Sequence, residues 1–408
     1  MTERSRALNI VYVWDGDYPW DVRTEKVCLA LTGAGHRVEI VARNRRRSQL
    51  SEILPEGTVR RMRPLSWASR PLDATLGFPA FFNPRWHALI RQTAKNSKAD
   101  IIIVRDLPLC PTAIRVGRKL DIPVILDMAE NYPAMMRDRR ASARNAVVDA
   151  FVRNPHLVEL VERYSVRHAA WTLTVVNESS DRLERLGANP ARMSVVSNTP
   201  PRSRAESAAC RAYGADGAIT IVYLGILETA RGIGEFIDAI GLLRRVHSQR
   251  YRGIVIGSGR DAEQFISRAR NAGTLDTNVQ FLGRLPHDDA LRIVAKADVG
   301  TIPHHATESW NTTIPNKLFD YMAAGLAVVS SDAVPCKRVI EETLCGEIFK
   351  SGDAGSMAAA ILRASAPASL QRMGSAGRQA VLSRYNWEHD TRVLLESIQK
   401  AESGAEWI

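Results

Sequence analysis

The chain has 408 residues, 45% of them apolar and 24% charged, a globular composition with length for two domains of ordinary size. No apolar run approaches the ~18 residues that a membrane-spanning helix needs. The start, Met1-Thr-Glu-Arg-Ser-Arg6, runs straight into a strand and shows no signal-peptide pattern. Five scattered cysteines (Cys28, Cys110, Cys210, Cys336, Cys345) lack metal-ligand spacing, so a cytoplasmic protein with reduced, packed thiols is expected. The net charge of +11 is uneven: residues 1–200 hold 31 Lys and Arg against 21 Asp and Glu, and the remainder 24 against 23. Basic clusters stand at Arg43-Asn-Arg-Arg-Arg47, Arg60-Arg-Met-Arg63 and Arg137-Asp-Arg-Arg140 with Arg144. They suit solvated loops, an anionic membrane surface or an acidic substrate. No nucleic-acid-binding motif and no interleaved aromatics accompany them, so no nucleic-acid partner is expected.

In chain order, Leu8-Asn-Ile-Val-Tyr-Val13 reads as a strand, Trp14-Asp-Gly-Asp-Tyr-Pro-Trp20 as a loop, and residues 22–31 as a helix stopped by Gly33 and Gly35. Arg37-Val-Glu-Ile-Val-Ala42 is the next strand, and such strand–helix–strand units build a parallel sheet. The loop is too poor in glycine for a dinucleotide fingerprint. Asp21 and Arg23 suit a helix cap and a surface charge as well as a ligand contact. Residues 99–104 and 122–126 are apolar runs of buried-strand type, with a helix over 112–120 between them. Asp127-Met-Ala-Glu-Asn-Tyr-Pro133 follows the second, where α/β proteins place ligands. Asp127 and Glu130 are therefore candidate catalytic groups, with simple turn formation as the alternative. Residues 137–168 join arginines to a helical pattern (Val147, Val148, Phe151, Val152, Leu157, Val158, Leu160, Val161, Tyr164), and Phe78-Pro-Ala-Phe-Phe82 and Trp86 add apolar groups upstream. This suits a core helix with a charged edge or a peripheral membrane face. A strand over 171–176, a helix over 178–186 and a strand from Met193 complete a domain of residues 1–200. Residues 201–217, rich in Pro, Ser, Ala and Gly, read as a linker.

A second domain, 218–385, opens with Ala218-Ile-Thr-Ile-Val-Tyr-Leu224, Gly225 and the loop Ile226-Leu-Glu-Thr-Ala-Arg-Gly232, then a helix over 234–246. Gly253-Ile-Val-Ile-Gly-Ser-Gly259 is a strand entering a turn at Gly257, with a helix over 262–272 after it. Asn278-Val-Gln-Phe-Leu-Gly-Arg-Leu-Pro286 is the next strand, with Arg284 in its loop. His304 and His305 follow a further strand; with no third ligand at metal spacing, they read as loop polarity or a sugar contact. Then comes Trp310-Asn-Thr-Thr-Ile-Pro-Asn-Lys-Leu-Phe-Asp-Tyr-Met-Ala-Ala-Gly325. Thr312 and Thr313 suit a helix cap and Pro315 a first helical position, Gly325 a helix stop, and 326–329 a buried strand. The free N–H groups of that helix start, with Asn316 and the charge of Lys317, suit an anion, and Asp320 one turn on suits ribose hydroxyls. The alternation continues through helices over 353–365 and 368–384 to a last helix in 386–408.

Pro315-Asn-Lys-Leu-Phe-Asp-Tyr-Met-Ala-Ala-Gly325, followed by Val-Val-Ser-Ser-Asp332, resembles the donor-site signature of family 4 glycosyltransferases of the GT-B fold. The resemblance implies an α/β protein: two Rossmann-like doubly wound domains facing across a cleft, with the C-terminal helix crossing back to the first. It places Asp320 at the second of the family's two acidic positions and Thr312 at the first. Ala129 stands where the family has a histidine, Ile226 where it has an arginine, and Arg231 where it has a diphosphate-binding lysine. Asp15, Gly16, Asp21 and Arg23 fall in the family's loop facing acceptor and donor phosphates, and Arg284 in the loop beside the base.

The implied function is transfer of a sugar from a UDP- or GDP-linked donor to a glycan or lipid-linked acceptor, with retention and without metal or other cofactor. The expected catalytic residues are Asp127, Glu130, Arg231 and Lys317. The expected donor-binding residues are Gly16, Gly225, Gly257, Arg284, Thr312, Thr313, Asn316 and Asp320. Cationic groups would stabilise the departing diphosphate. A cytoplasmic protein, peripheral on an anionic membrane surface, fits the basic first half. The alternatives are a sugar-nucleotide epimerase or phosphorylase-like enzyme on the same fold, an inactive partner in polysaccharide assembly marked by Thr312, Ala129 and Ile226, and a binder of anionic surfaces or nucleic acid.

Overall fold

The computed structural model describes residues 6–19, 21–67, 80–140, 154–207, 217–246 and 251–404, with isolated positions between 69 and 76. It divides into two compact units, Met1–Ser197 with Thr391–Ile408, and Asn198–Asp390. The first is built on eight strands: β1 (Asn9–Asp17), β2 (Arg37–Arg43), β3 (Ser51–Leu54), β4 (Gly57–Arg61), β5 (Ile101–Arg105), β6 (Val124–Asp127), β7 (Trp171–Thr174) and β8 (Met193–Val195). Their order is β3-β4-β2-β1-β5-β6-β7-β8, parallel except for the β3–β4 hairpin. β5 is buried at every position, as a strand covered on both faces must be. The helix Pro84–Ser97 shows how the covering layer forms. Asn83 caps it, Pro84 fits its first turn, and Trp86, Ile90 and Ala94 recur every four residues to bury one face against Val11, Ile102 and Val104.

The second unit is wholly parallel: β9 (Ile219–Leu224), β10 (Tyr251–Ile256), β11 (Val279–Gly283), β12 (Val299–Ile302), β13 (Ala327–Ser331) and β14 (Gly346–Phe349), in the order β11-β10-β9-β12-β13-β14. Helices Ile233–Val246 and Ala354–Ala364 bring Phe236, Ile240, Met357 and Ile361 onto Val255, Val299 and Val329. Full burial of each such side chain contributes roughly 1.5–3 kcal/mol. Strand order reverses between β1 and β5 and again between β9 and β12. At such a point successive connections leave in opposite directions and open a crevice at the carboxyl ends of the strands.

Several expectations change. β1 runs on to Asp17, so Asp15 and Gly16 lie in a strand, and the Trp14 indole occupies the space a side chain at Gly16 would need, 2.3 Å from its Cβ position. Trp20 lies outside the described residues. The segment read as a linker starts with a helix, Arg202–Glu206, held to the second unit where Arg378 donates to the carbonyls of Ala205 and Glu206. Positions 208–216 lie outside the described residues, as do Phe78, Arg144, Val147, Val148, Phe151, Val152 and Cys210. Two basic-cluster members are not solvated: Arg43 pairs with Asp15 at 2.5 Å, and Arg61 is buried, donating to the carbonyls of Tyr18 and Gln49. Trp86 is core, not surface. The four described cysteines are buried, and none of them forms a disulfide among the described residues. Among the described residues no helix is long and apolar enough to cross a membrane.

Candidate active site

In the second unit the loops after β9 and β12 diverge at the reversal point. Tyr321 ties the helix Lys317–Ala323 to this point: its hydroxyl accepts from the Leu224 N–H at 3.0 Å, and its ring fills the place of a side chain at Gly300. One turn earlier on that helix, the Lys317 ammonium lies 4.0 Å from the centre of the Tyr223 ring. Gly225 has φ +147°, and a Cβ there would stand 2.8 Å from Lys317 Nζ, so glycine alone leaves room for the ammonium. Gly257, at φ +145°, faces the Gly225 carbonyl, whose oxygen would lie 1.8 Å from an added Cβ. Gly257→Ala must therefore displace backbone, and a lowered melting temperature is the expected outcome.

Arg231 ends a short 3-10 turn, Thr229–Arg231, fixed where Asp261 accepts from the Thr229 N–H and hydroxyl, both at 2.8 Å. The His305 N–H donates to the Ala230 carbonyl at 3.0 Å and joins this turn to the loop after β12. The guanidinium lies over the Trp310 ring at 5.2 Å, and its Nη1 is 3.4 Å from His304 Nε2. Arg231 Nε, His304 Nδ1 and Lys317 Nζ are all buried without a hydrogen-bond partner among the described residues. Burial, then the charge of Arg231, pushes the Lys317 ammonium well below the ordinary lysine range. Burial, then the charges of Lys317 and Arg231, pushes the His304 imidazole well below the ordinary histidine value. An unpaired buried polar group costs on the order of 1–3 kcal/mol, more when charged. Three of them converging at a strand-order reversal are an arrangement able to receive an anion.

Of the expected residues, the structure brings the catalytic candidates Lys317 and Arg231 together with the donor-binding candidates Gly225 and Gly257. The helix start differs from its expected form. Helix Lys317–Ala323 has seven residues, Asn316 precedes it exposed with no side-chain cap bond, and the Thr312 hydroxyl donates back to the carbonyls of Glu308 and Ser309. Thr312 and Thr313 are thus not caps; positive charge comes from side chains rather than a helix end. Asp320 accepts from Arg204 Nη1 at 2.6 Å. Sequence reading gave no hint of Arg204, a lone basic residue in a segment read as linker. Arg284 is exposed beyond Gly283.

In the first unit, Asp127 is fully buried. It accepts from Arg23 Nη2 at 2.5 Å, Arg23 Nε at 2.9 Å and the Tyr12 hydroxyl at 2.9 Å. Burial works against its ionisation, but Arg23 outweighs burial and holds the carboxyl below the usual range. Beside it Arg105 pairs with Asp106 at 2.6 Å and lies over the Trp14 ring. Asp127 therefore ties the end of β6 to the middle of β1 and to the helix Val22–Gly33, and Arg23 is buried rather than a surface charge. Asp21 is the helix cap, accepting from the Thr24 N–H at 2.8 Å. Glu130 is partly exposed three residues after Asp127. Among the described residues no three His, Cys, Asp or Glu are placed to hold a metal ion.

Known structures share this architecture. Sucrose-phosphate synthase from Thermosynechococcus elongatus matches with a TM-score of 0.75 at 16% identity, over 98% of this chain and 100% of that one. Anabaena HepE, solved in complex with UDP-glucose, matches with a TM-score of 0.68 at 14% identity, over 96% and 99%. The two parallel-sheet units have the GT-B fold. A family model described as "Glycosyl transferase 4-like domain" matches residues 21–199, and one described as "Glycosyl transferases group 1" matches residues 218–366. Glycogen synthase of Mycobacterium tuberculosis is 26% identical over 376 residues, 88% of this chain and 85% of the relative. Phosphatidyl-myo-inositol mannosyltransferase of Mycobacterium leprae is 32% identical over 173 residues, 41% of this chain and 43% of the relative. The chain is a glycosyltransferase.

Proposed function

We propose that the chain is a family 4, retaining glycosyltransferase that moves a sugar from a UDP- or GDP-linked donor to a glycan or lipid-linked acceptor, with no metal or other cofactor. The observation that carries this reading is the convergence of Arg231 Nε, His304 Nδ1 and Lys317 Nζ, none of them with a hydrogen-bond partner among the described residues. Departure of the diphosphate develops negative charge, and preorganised cations in a water-poor site lower that barrier most. Arg231 offers a forked guanidinium and Lys317 a point charge, which together stand in for a divalent cation. Asp320 is the ribose ligand, oriented by Arg204.

The same observation weighs against a decayed, inactive partner. A buried ammonium with nothing to bind is a standing cost that an apolar residue would not carry, and Lys317 occupies a place where only glycine at 225 leaves it space. The relatives include enzymes of polysaccharide and glycolipid assembly, and we assign the acceptor to that range. The exposed Arg45, Arg46, Arg47, Arg60 and Arg63 suit an anionic membrane surface on the cytoplasmic side.

A thermal-shift series with UDP, GDP and ADP, each with and without sugars, tests the reading. A true donor base at a hundred times its dissociation constant adds ~2.7 kcal/mol of stability. No shift with any of the three would remove the transferase assignment for this site. Donor turnover without any acceptor would select the epimerase.

A further inference from the structure

We propose that His304 donates its Nδ1–H to the diphosphate of the donor. This rests on the nucleotide-sugar reading of the site. His304 follows β12 and is 1% exposed. Its backbone carbonyl accepts from the Ser331 hydroxyl at 2.6 Å, and its ring has two contacts: Trp310 meets the imidazole edge-on at 4.3 Å, and Arg231 Nη1 approaches Nε2 at 3.4 Å. A guanidinium has only protons to offer, so Nε2 is the acceptor and the proton of the neutral ring sits on Nδ1. That Nδ1 is buried and has no hydrogen-bond partner among the described residues.

The groups facing the imidazole are Arg231, Lys317 and, next along the chain, His305. The carboxylates nearby are engaged elsewhere: Glu235 accepts from His305 at 3.0 Å, and Glu228 stands 3.9 Å from Arg231 Nε. Burial and the two cations keep the ring neutral. His304 thus presents a neutral donor among two cations, and the complement of the three is an oxyanion with several lone pairs. It supplies a further contact in a site where Ile226, 48% exposed, brings no charge.

Asparagine can place an N–H near the position of Nδ1, whereas glutamine reaches toward Nε2. Titration of the full chain with UDP, GDP, uridine and guanosine separates the roles. Expected for the diphosphate that binds wild type: His304→Leu and His304→Gln weaken it about 10- to 100-fold, and His304→Asn restores most of the loss. The matching nucleoside is expected to bind all four proteins alike. Equal affinities of the Asn and Gln variants for the diphosphate, or parallel losses for diphosphate and nucleoside, would overturn the role of His304. Failure of wild type to bind either diphosphate would overturn the donor site itself, a separate outcome.

Discussion

Replacing Lys317 by methionine is expected to stabilise the free protein and, in the same variant, to cripple nucleoside-diphosphate binding. The two effects have opposite signs because the ammonium serves only the bound state. Methionine keeps the stem that packs on Tyr223 and removes a buried charge with no hydrogen-bond partner. Relief of that desolvation, less the lost contact with the aromatic face, leaves a gain of about 1 kcal/mol, or roughly 2–4 °C in a unit of this size. Loss of a cation facing a buried phosphate costs about 3 kcal/mol, a factor of about 100 in affinity.

A pH dependence follows from the same group. Lys317 has its pKa lowered by burial and by Arg231 in the free protein, and a bound diphosphate favours its charged form. Above the lowered pKa, binding must take up a proton, so affinity falls as pH rises, by up to about tenfold per unit. Lys317→Met is expected to flatten that slope. Scanning calorimetry and titration at several pH values read both effects. A variant less stable than wild type with unchanged nucleotide affinity would make Lys317 a structural residue.

The sheets were legible because apolar runs such as residues 101–105 have no other stable place than a covered strand. Lys317 was legible too, as the one cation on a short helix whose only other charge is Asp320. The partners were not. Arg23 lies 104 positions from Asp127, and Arg204 lies 116 from Asp320. A carboxylate at a strand end has the same sequence signature whether it faces a ligand or is pinned by a distant guanidinium. The hairpin β3–β4 escaped notice for a related reason. It is an edge with polar alternation and an exposed Ile53, and its burial pattern is too weak to mark it. His304 read as loop polarity because burial of the loop after β12 is a property of the packed unit, not of the dipeptide.

Asp127→Asn is the second large effect, and it is expected on stability. Arg23 would be left buried opposite a neutral amide, and breaking a buried pair costs about 3–5 kcal/mol. Arg23→Met should cost as much, while Arg23→Met with Asp127→Leu should recover most of the loss, since two apolar groups leave no charge uncompensated. Acid should reproduce the single variants. Asp127 is held below its ordinary pKa, so its contribution is present at neutral pH, begins to fade near the unfolded value of about 3.9, and is lost as pH falls through the lowered native value. Denaturant melts of the three variants between neutral pH and pH ~3 decide the matter. If Asp127 were instead a catalytic carboxylate, Asp127→Asn would melt with wild type and lose only turnover, and the double variant would recover nothing.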